Sequence, residues 1–263
     1  MKIGTVERLR RYPVKSMLGE ELGEAAVSDR GLDGDRVTGL LDAESGRVVS
    51  AKNPRLWAGM LGLTAVLDAG RVVITGPDGR EVGEAELSER LGRRVRLAGE
   101  RPPGATVERA VPEEVLARGI EEKVAVTENE IGRAAPAGTF FDFAPLHLLT
   151  TSTLDAVAAE AERYRPNLVI RTEGEGYVEN EWVGRELRIG PDLRLRILAP
   201  TPRCAVPTLA HGPLPRSTAA LKVLAEQNRL VPLEGMAALP CAGVYAQVVE
   251  PGRVKVGDAV GLD

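Results

Sequence analysis

The sequence contains few aromatic residues and only two cysteines. Phenylalanine, tryptophan and tyrosine make up 3% of the 263 residues, whereas there are 29 glycines and 18 prolines. A chain rich in glycine and proline has many turns and short elements, which favours a β-rich fold. Cys204 and Cys241 are too few to hold together a disulfide-stapled secreted protein, so we expect two reduced thiols.

The sequence also lacks features that direct a protein to nucleic acid or to a membrane. The formal net charge is −4, so no positive excess is available to attract nucleic acid or anionic lipid. The segment "MKIGTVERLRRYPVKS" has no apolar core typical of a signal peptide, and no apolar stretch is long enough to cross a bilayer. We expect a cytoplasmic protein that has neither nucleic acid nor a membrane as a partner.

Motifs of several common enzyme classes are missing. The sequence contains no G-x-x-x-x-G-K-[ST] phosphate loop, no G-x-G-x-x-G turn and no G-x-S-x-G elbow. The two histidines, His147 and His211, have no motif around them that supports a histidine-based triad. Two cysteines and two histidines without paired close spacings also argue against a zinc site.

The hydrophobic pattern predicts two β-rich lobes joined by a connector. Residues 1–98 alternate apolar and polar side chains over several short runs, which is typical of half-buried strands. Residues 99–138 form a mixed, proline-containing connector with a possible helix at "PEEVLARG". Residues 139–263 contain further strands and are predicted to end in a hairpin over "EPG", within "GVYAQVVEPGRVKVGDAVGL".

Two local patterns in the second lobe give sharper predictions. Ser152 and Asp155 form an S-x-x-D pattern, which predicts a helix that begins at that serine. The run "LRLRIL", from Leu193 to Leu198, predicts a strand that ends before the prolines of "APTPRCAVPTL".

Cys204 is the strongest single candidate for a functional residue. It lies in "APTPRCAVPTL", where Pro202 and Pro207 stiffen the backbone on either side. Arg203 would favour ionisation of the thiol, and a thiolate binds soft metals and attacks electrophiles. The alternative is a small buried hydrophobic residue, since free cysteines are commonly buried. Cys241, in "LPCAGVY", has no comparable neighbours and is interpreted as structural.

Three short segments carry donors suited to an anion or a heterocycle. In "YPVKSM" the ammonium of Lys15 and the hydroxyl of Ser16 stand side by side, a pairing that suits a phosphate. An exposed strand end would contain the same residue types. The segments "GDR" (34–36) and "YRPNL" (164–168) add guanidinium and carboxamide donors. Chemistry alone does not show that these segments converge.

Taken in order, these segments resemble the MOSC family, the domains similar to the C-terminal part of molybdenum cofactor sulfurases. "GTVERLRRYPVKSMLGEEL", "GLDGDR" and "SAKNPRL" are similar to the MOSC N-terminal β-barrel. "LHLLTTSTL", "RYRPNLVI", "ENEWVGRELRIG" and "PRCAVPT" are similar to the MOSC domain itself. The resemblance is greatest to the two-lobed members of the amidoxime-reducing type.

The resemblance implies a β-rich α+β fold with a molybdenum cofactor (Mo-molybdopterin) in a cleft between two barrel-like lobes. The lobes would be residues 1–98 and 139–263. Cys204 would be the thiolate that binds molybdenum and the catalytic residue. The residues that the resemblance implies for binding the pterin and its phosphate are Lys15, Ser16 and Arg36 from the first lobe, and Thr150, Thr151, Arg165, Asn167, Arg203 and Tyr245 from the second.

The resemblance further implies an oxidoreductase that reduces N-hydroxylated compounds, such as hydroxylamines and amidoximes, by removing an oxygen atom at molybdenum. The small-molecule substrate would be one partner, and a separate electron-donor protein would be the other. Two alternatives remain open. Cys204 could carry a persulfide for sulfur transfer to the cofactor, or the protein could be a non-catalytic cofactor carrier.

Overall fold

The computed structural model describes residues 1–263 and consists mainly of short strands with a few helices. The strands are β1 (Lys2–Arg11), β2 (Glu20–Leu22), β3 (Glu24–Ser28), β4 (Gly31–Leu32), β5 (Gly39–Asp42), β6 (Thr64–Asp68), β7 (Arg71–Thr75), β8 (Val95–Ala98), β9 (Thr106–Ala110), β10 (Val126–Glu130), β11 (Leu146–Thr150), β12 (Leu168–Thr172), β13 (Glu186–Ile189), β14 (Leu193–Pro202), β15 (Arg229–Leu230), β16 (Leu239–Glu250), β17 (Gly252–Lys255) and β18 (Ala259–Leu262). The helices are α1 (Pro54–Trp57), α2 (Glu84–Leu91), α3 (Pro112–Arg118), α4 (Thr151–Val157), α5 (Ala161–Tyr164) and α6 (Ala219–Gln227), and 3₁₀ helices span Ala58–Gly62, Val178–Trp182 and Val206–Thr208. The predicted β-rich fold class is confirmed.

Seven strands close into a barrel. Their order is β11-β12-β1-β18-β13-β14-β16, and β16 pairs again with β11. The β11–β12 pair is parallel and the other pairs are antiparallel. Closure gives each of these strands a hydrogen-bonded neighbour on both sides. Most members of a cluster of 20 buried apolar residues lie on these strands, at alternating positions such as Leu193, Leu195 and Ile197 of β14, because alternate side chains of a strand point to the same face.

The first strand of the chain belongs to this barrel. β1 lies between β12 and β18, with Leu9 opposite Leu168 and Thr5 opposite Ala259. The residues that follow β1 therefore leave directly from the barrel wall, which brings Lys15 and its neighbours close to elements of the second half of the chain.

The predicted closing hairpin over "EPG" is wrong. β17 does not fold back on β16 but pairs with β3, which places Val254 opposite Ala25. Both of these residues are buried, and Val27, also on β3, belongs to the same apolar cluster of the barrel. Burial of this apolar side of β3 favours the long-range pairing over the local hairpin.

A second apolar core lies in the first half of the chain. It contains 12 buried residues, including Val14, Leu40, Met60 and Leu87, and it is covered by α1, α2 and the strand pairs β5–β8 and β6–β7. In the connector, β9 and β10 form an antiparallel pair, and the predicted helix of "PEEVLARG" is present as α3. No helix combines the length and the apolar character needed to cross a bilayer.

Candidate functional site

A cavity of about 90 Å³ lies where segments from both halves of the chain meet. We call it the inner cavity. Eight of the residues expected from the sequence line it: Lys15, Ser16, Arg36, Arg165, Asn167, Arg203, Cys204 and Tyr245. The folding of the chain therefore brings together segments that are more than 200 residues apart in sequence.

The thiol of Cys204 is set in the wall of the inner cavity by a short, tightly hydrogen-bonded loop. The backbone amide of Arg203 donates to the carbonyl of Pro240 at 2.8 Å, and the hydroxyl of Thr208 donates to the carbonyl of Ala205 at 2.7 Å. Cys204 is a free cysteine, 8% exposed, and packs against apolar neighbours such as Leu61. The loop fixes the sulfur while leaving one side of it towards the cavity.

The strand before this loop is longer than predicted. β14 continues through Pro200 and Pro202 instead of ending at Leu198. These prolines are tolerated because β13 pairs with β14 only as far as Arg196, so that beyond this residue one edge of β14 needs no amide donor. The pairing with β16 on the other edge also shifts register between Pro200 and Pro202. The strand thus carries the chain directly to the cavity wall.

Arg203 and Arg165 contribute guanidinium groups from the second half of the chain. Arg203 donates to the carbonyl of Tyr164 at 2.8 Å, while its buried Nε has no hydrogen-bond partner. Arg165 has a left-handed backbone conformation with φ of 57° and donates through Nη1 to the carbonyl of Met17. Burial, together with the nearby charge of Arg36, lowers the pKa of Arg165 to about 10. Arg165 is therefore charged at neutral pH, and the surrounding protein neutralises its positive charge only in part.

Lys15, Ser16 and Arg36 contribute polar groups from the first half. The Lys15 ammonium donates to Asp142 Oδ1 at 2.6 Å and to the carbonyl of Phe140 at 3.0 Å. Ser16, with φ of 64°, accepts a hydrogen bond from the amide of Ala51 at 3.1 Å. Arg36, with φ of 49°, donates to the carbonyl of Arg165 at 3.2 Å. Ser16 and Arg36 thus both have the uncommon left-handed backbone conformation, and both side chains line the inner cavity.

Asn167, in the wall of the inner cavity, forms hydrogen bonds with residues of both halves of the chain. Its Nδ2 donates to Asp35 Oδ2 at 3.0 Å, and its Oδ1 accepts from the amide of His147 at 3.1 Å. The carboxylate of Asp35 also accepts from Arg36. Most of the polar capacity of the Asn167 side chain is used within the protein, so this residue fixes Arg36 rather than offering free donors.

The inner cavity is strongly electropositive. The charged residues that line it are the cations Lys15, Arg36, Lys52, Arg109, Arg165 and Arg203, against the single carboxylate of Asp142. This excess contrasts with the net charge of −4 for the whole chain. Burial, and secondarily the positive charge of Arg203, holds the pKa of His147 well below its usual range, so this histidine is neutral and adds no charge. The cavity is therefore suited to an anionic ligand.

Asp142 forms ion pairs with both lysines of the inner cavity. Lys15 and Lys52 lie 2.6 and 2.8 Å from the same carboxylate oxygen. Burial by itself would raise the pKa of the Asp142 carboxyl, but the two ammonium groups outweigh this effect and hold the pKa well below its usual range. Burial lowers the pKa of Lys15 to about 8, even though Asp142 opposes this change. Asp142 is ionised at neutral pH and compensates part of the positive charge.

Thr150 and Thr151 do not line the inner cavity. Thr150 is the N-cap of α4: its hydroxyl accepts from the amide of Thr153 at 3.1 Å and donates to the buried carboxyl of Glu179 at 2.6 Å. The hydroxyl of Thr151 accepts from the amide of Thr172 at 3.2 Å. Both hydroxyls take part in hydrogen bonds that hold α4 to its surroundings, and neither faces the inner cavity. The cap also starts α4 at Thr151, whereas Ser152 was the predicted cap.

Several residues of the inner cavity were not singled out in the sequence. Lys52 had two available signals, since it lies in the family-like segment "SAKNPRL" and is one of only six lysines. Thr201 lies in the candidate segment "APTPRCAVPTL", whereas the segments of Asp142 and Arg109 carry no distinctive pattern. Tyr12, in "YPVKSM", is buried behind the cavity, with the guanidiniums of Arg36 and Arg165 lying 4.7 and 4.4 Å from its ring centroid.

The protein contains no group of three or more histidine, cysteine or acidic side chains placed to hold a metal ion. Cys204 can provide one ligand from the cavity wall. A metal at this position would therefore need its other ligands from a bound cofactor rather than from the chain.

Sequence models of two domain families match the chain. The model of the MOSC N-terminal beta barrel domain matches residues 3–103, and that of the MOSC domain matches residues 136–261. No curated protein matches the sequence. Among solved structures, the YuaD protein from Bacillus subtilis is 12% identical, with a TM-score of 0.47 over 98% of this chain and 94% of that chain. YiiM from Geobacillus stearothermophilus is 14% identical, with a TM-score of 0.31 over 46% of this chain and 54% of that one.

Proposed function

The chain belongs to the MOSC family in its two-lobed form, a family associated with the molybdenum cofactor, and from this we propose that it is an oxidoreductase that uses this cofactor to reduce N-hydroxylated compounds. Hydroxylamines and amidoximes are the proposed substrate classes. The observation that carries the proposal is that Cys204 shares one cavity with six cationic side chains.

The chemistry of the inner cavity fits an anionic, hydrogen-bonding cofactor. Besides the excess of positive charge, the Nε of Arg203 and the hydroxyl of Thr201 are buried at the cavity without a hydrogen-bond partner. Each unsatisfied buried polar group costs about 1–3 kcal/mol, and a bound acceptor would recover that cost. The donor set therefore matches a phosphate-bearing pterin, and Cys204 matches the need for one protein ligand to the metal.

The residues that would hold the cofactor form two groups, one for the metal and one for the anionic pterin. Cys204 would bind molybdenum through its thiolate, a soft ligand. Lys15, Arg36, Arg165 and Arg203 would hold the anionic pterin and its phosphate by charge-assisted hydrogen bonds. Asn167 would keep Arg36 in place through their shared partner Asp35.

When bound, the cofactor supplies a two-electron metal centre that can take oxygen from an N–O bond. The overall reaction of a hydroxylamine, R–NHOH + 2e⁻ + 2H⁺ → R–NH₂ + H₂O, balances with a separate electron-donor protein as the source of electrons. The chain contributes binding, orientation and electrostatics. Apolar side chains such as Leu61 and Val206 flank the Cys204 thiol and limit the access of water to it. The ammonium of Lys15 is mostly protonated at neutral pH and is available beside the site as an acid.

The proposal is tested by molybdenum content together with turnover. Protein loaded with the cofactor is expected to contain about one molybdenum per chain and, under anaerobic conditions with an artificial reductant, to convert an amidoxime to the amidine. The Cys204→Ala variant is expected to lose turnover. Cys241→Ala is the matched control, because Cys241 is also free and buried but lies outside the cavity.

Other results would contradict the reductase proposal and point to the alternatives. Sulfur released by cyanide from Cys204, without turnover of amidoximes or hydroxylamines, would support sulfur transfer. Bound cofactor that is passed to an apo-enzyme, again without turnover, would support a carrier.

A further inference from the structure

A second cavity of about 270 Å³ adjoins the inner cavity. We call it the outer cavity. The two share the side chains of Lys52, Arg109, Asp142, Pro202 and Tyr245 as a common wall. Pro202 and Cys204 both line the inner cavity, so the common wall belongs to the cavity that contains the thiol. A ligand in the outer cavity would therefore border on the proposed reaction centre.

The outer cavity has an apolar, aromatic side. The rings of Phe143 and Tyr245 line it with their centroids 5.3 Å apart, and Pro200 adds a rigid apolar surface. Leu233 and Met236, from the segment between β15 and β16, form its rim. These two side chains are 38% and 40% exposed, and they are among only eight large apolar side chains exposed in the protein. Apolar side chains exposed at the rim of a cavity are suited to contact an apolar group of a ligand.

The charges of the outer cavity are balanced, unlike those of the inner one. Its charged residues are the cations Lys52, Arg109 and Arg133 and the carboxylates of Glu128, Glu130 and Asp142. Glu128 is already paired, since it accepts from Arg47 and from the hydroxyl of Thr106, each at 2.7 Å. Lys52 and Asp142 are paired with each other. The three positive and three negative formal charges of the lining sum to zero, so the outer cavity lacks the strong positive excess of the inner one.

We propose that the outer cavity binds an uncharged aromatic substituent of the substrate and so places its N–O group at the common wall near Cys204. The substrates favoured by this arrangement are neutral amidoximes and hydroxylamines that carry an aromatic group. The inference rests on the proposed function. It adds that Leu233 and Met236 determine substrate specificity, although they have no part in holding the cofactor.

The test compares two amidoximes that differ only in their substituent, benzamidoxime and acetamidoxime. The double variant Leu233→Ser/Met236→Ser is expected to lower the ratio of kcat/KM for benzamidoxime over acetamidoxime about tenfold, mainly through a higher KM for benzamidoxime. Its molybdenum content is expected to match that of the parent. The control double variant Val249→Ser/Val256→Ser removes two exposed valines that line neither cavity, and it is expected to leave the ratio unchanged.

A calorimetric titration of oxidised, cofactor-loaded protein with benzamidoxime, without reductant, measures the same effect in the absence of turnover. The dissociation constant is expected to rise about tenfold in the Leu233→Ser/Met236→Ser variant and to stay constant in the control. An unchanged ratio and an unchanged dissociation constant would overturn the inference while the reductase proposal stands. A fall in molybdenum content would overturn it too, because the outer cavity would then hold cofactor. If neither amidoxime is turned over, the reductase proposal fails and the titration alone decides whether the outer cavity binds a neutral aromatic ligand.

Discussion

The ammonium of Lys15 lies 2.6 Å from the carboxylate of Asp142, in a cavity whose other charged groups are all cations. The pair joins β1 of the barrel, through the segment that follows it, to the segment before β11. Burial lowers the pKa of Lys15 to about 8, so keeping this side chain protonated at neutral pH lowers the free energy of unfolding. This is the pattern expected of a residue placed for a ligand rather than for folding.

A pH-dependent stability follows from this relationship. The pKa of Lys15 is about 8 in the folded protein and 10.5 in an unperturbed lysine. Between these two pH values Lys15 binds fewer protons in the folded than in the unfolded state, so its contribution to the free energy of unfolding rises with pH. In urea denaturation at pH 7, 8.5 and 10, the free energy of unfolding of the cofactor-free parent is expected to rise relative to that of Lys15→Met by about 3 kcal/mol across this window. Lys222→Met, at an exposed position of α6, is the control. Parallel pH profiles for the parent and Lys15→Met would contradict this prediction.

The ring of Tyr12 is predicted to position Arg36 and Arg165. Each guanidinium lies over the ring, and such a contact contributes about 0.5–2 kcal/mol. Tyr12→Leu is expected to lower the molybdenum content of purified protein several-fold. Tyr12→Phe keeps the ring and removes a buried hydroxyl that has no hydrogen-bond partner, so it is expected to keep both molybdenum content and thermal stability. Equal losses in both variants would contradict a role for the ring.

The electropositive inner cavity is predicted to bind small anions before it is loaded with cofactor. Pyrophosphate, titrated calorimetrically into cofactor-free protein, is expected to bind more weakly as salt is raised. Arg165→Met is expected to weaken binding about tenfold. Arg171→Met is the control, since Arg171 lies on the barrel surface and pairs with Glu7. Equal affinity in the parent and Arg165→Met would show that the anion binds elsewhere.

Thr150 is predicted to act in stability alone. Thr150→Val removes the N-cap hydrogen bond of α4 and one of the donors to Glu179, and it is expected to lower the free energy of unfolding by about 2 kcal/mol. Molybdenum content per folded chain is expected to stay at the parent value. A variant of normal stability that fails to retain molybdenum would instead support Thr150 as a cofactor ligand.

The sequence predicted the fold class and most of the cavity because both depend on short segments with strong local character. The loop of Cys204 and the segment of Lys15 and Ser16 are stiffened by prolines, and their chemistry can be read from neighbouring residues. The continuation of β14 through Pro200 and Pro202 could not be predicted, because it depends on one strand edge having no partner. The pairing of β17 with β3 joins residues more than 220 positions apart, and a local hairpin pattern carries no information about it.

The roles of Asp142, inside the cavity, and of Thr150, outside it, show the same limit of prediction from sequence. Asp142 acquires its role only when the chain brings two lysines from the other half to one carboxylate oxygen. Thr150 and Ser152 have similar side chains, and the packing of Glu179 against α4 selects the first as the cap. Residue type indicates which side chains can serve a site, but long-range packing determines which of them reach it.

Whether Cys204 binds molybdenum is measured directly by the sulfur coordination of the metal in purified, cofactor-loaded protein, using X-ray absorption at the molybdenum edge. We expect one sulfur ligand fewer in Cys204→Ser than in the parent, and no change in Cys241→Ser. The same number of sulfur ligands in the parent and in Cys204→Ser would contradict the claim that the chain binds the metal through this thiolate.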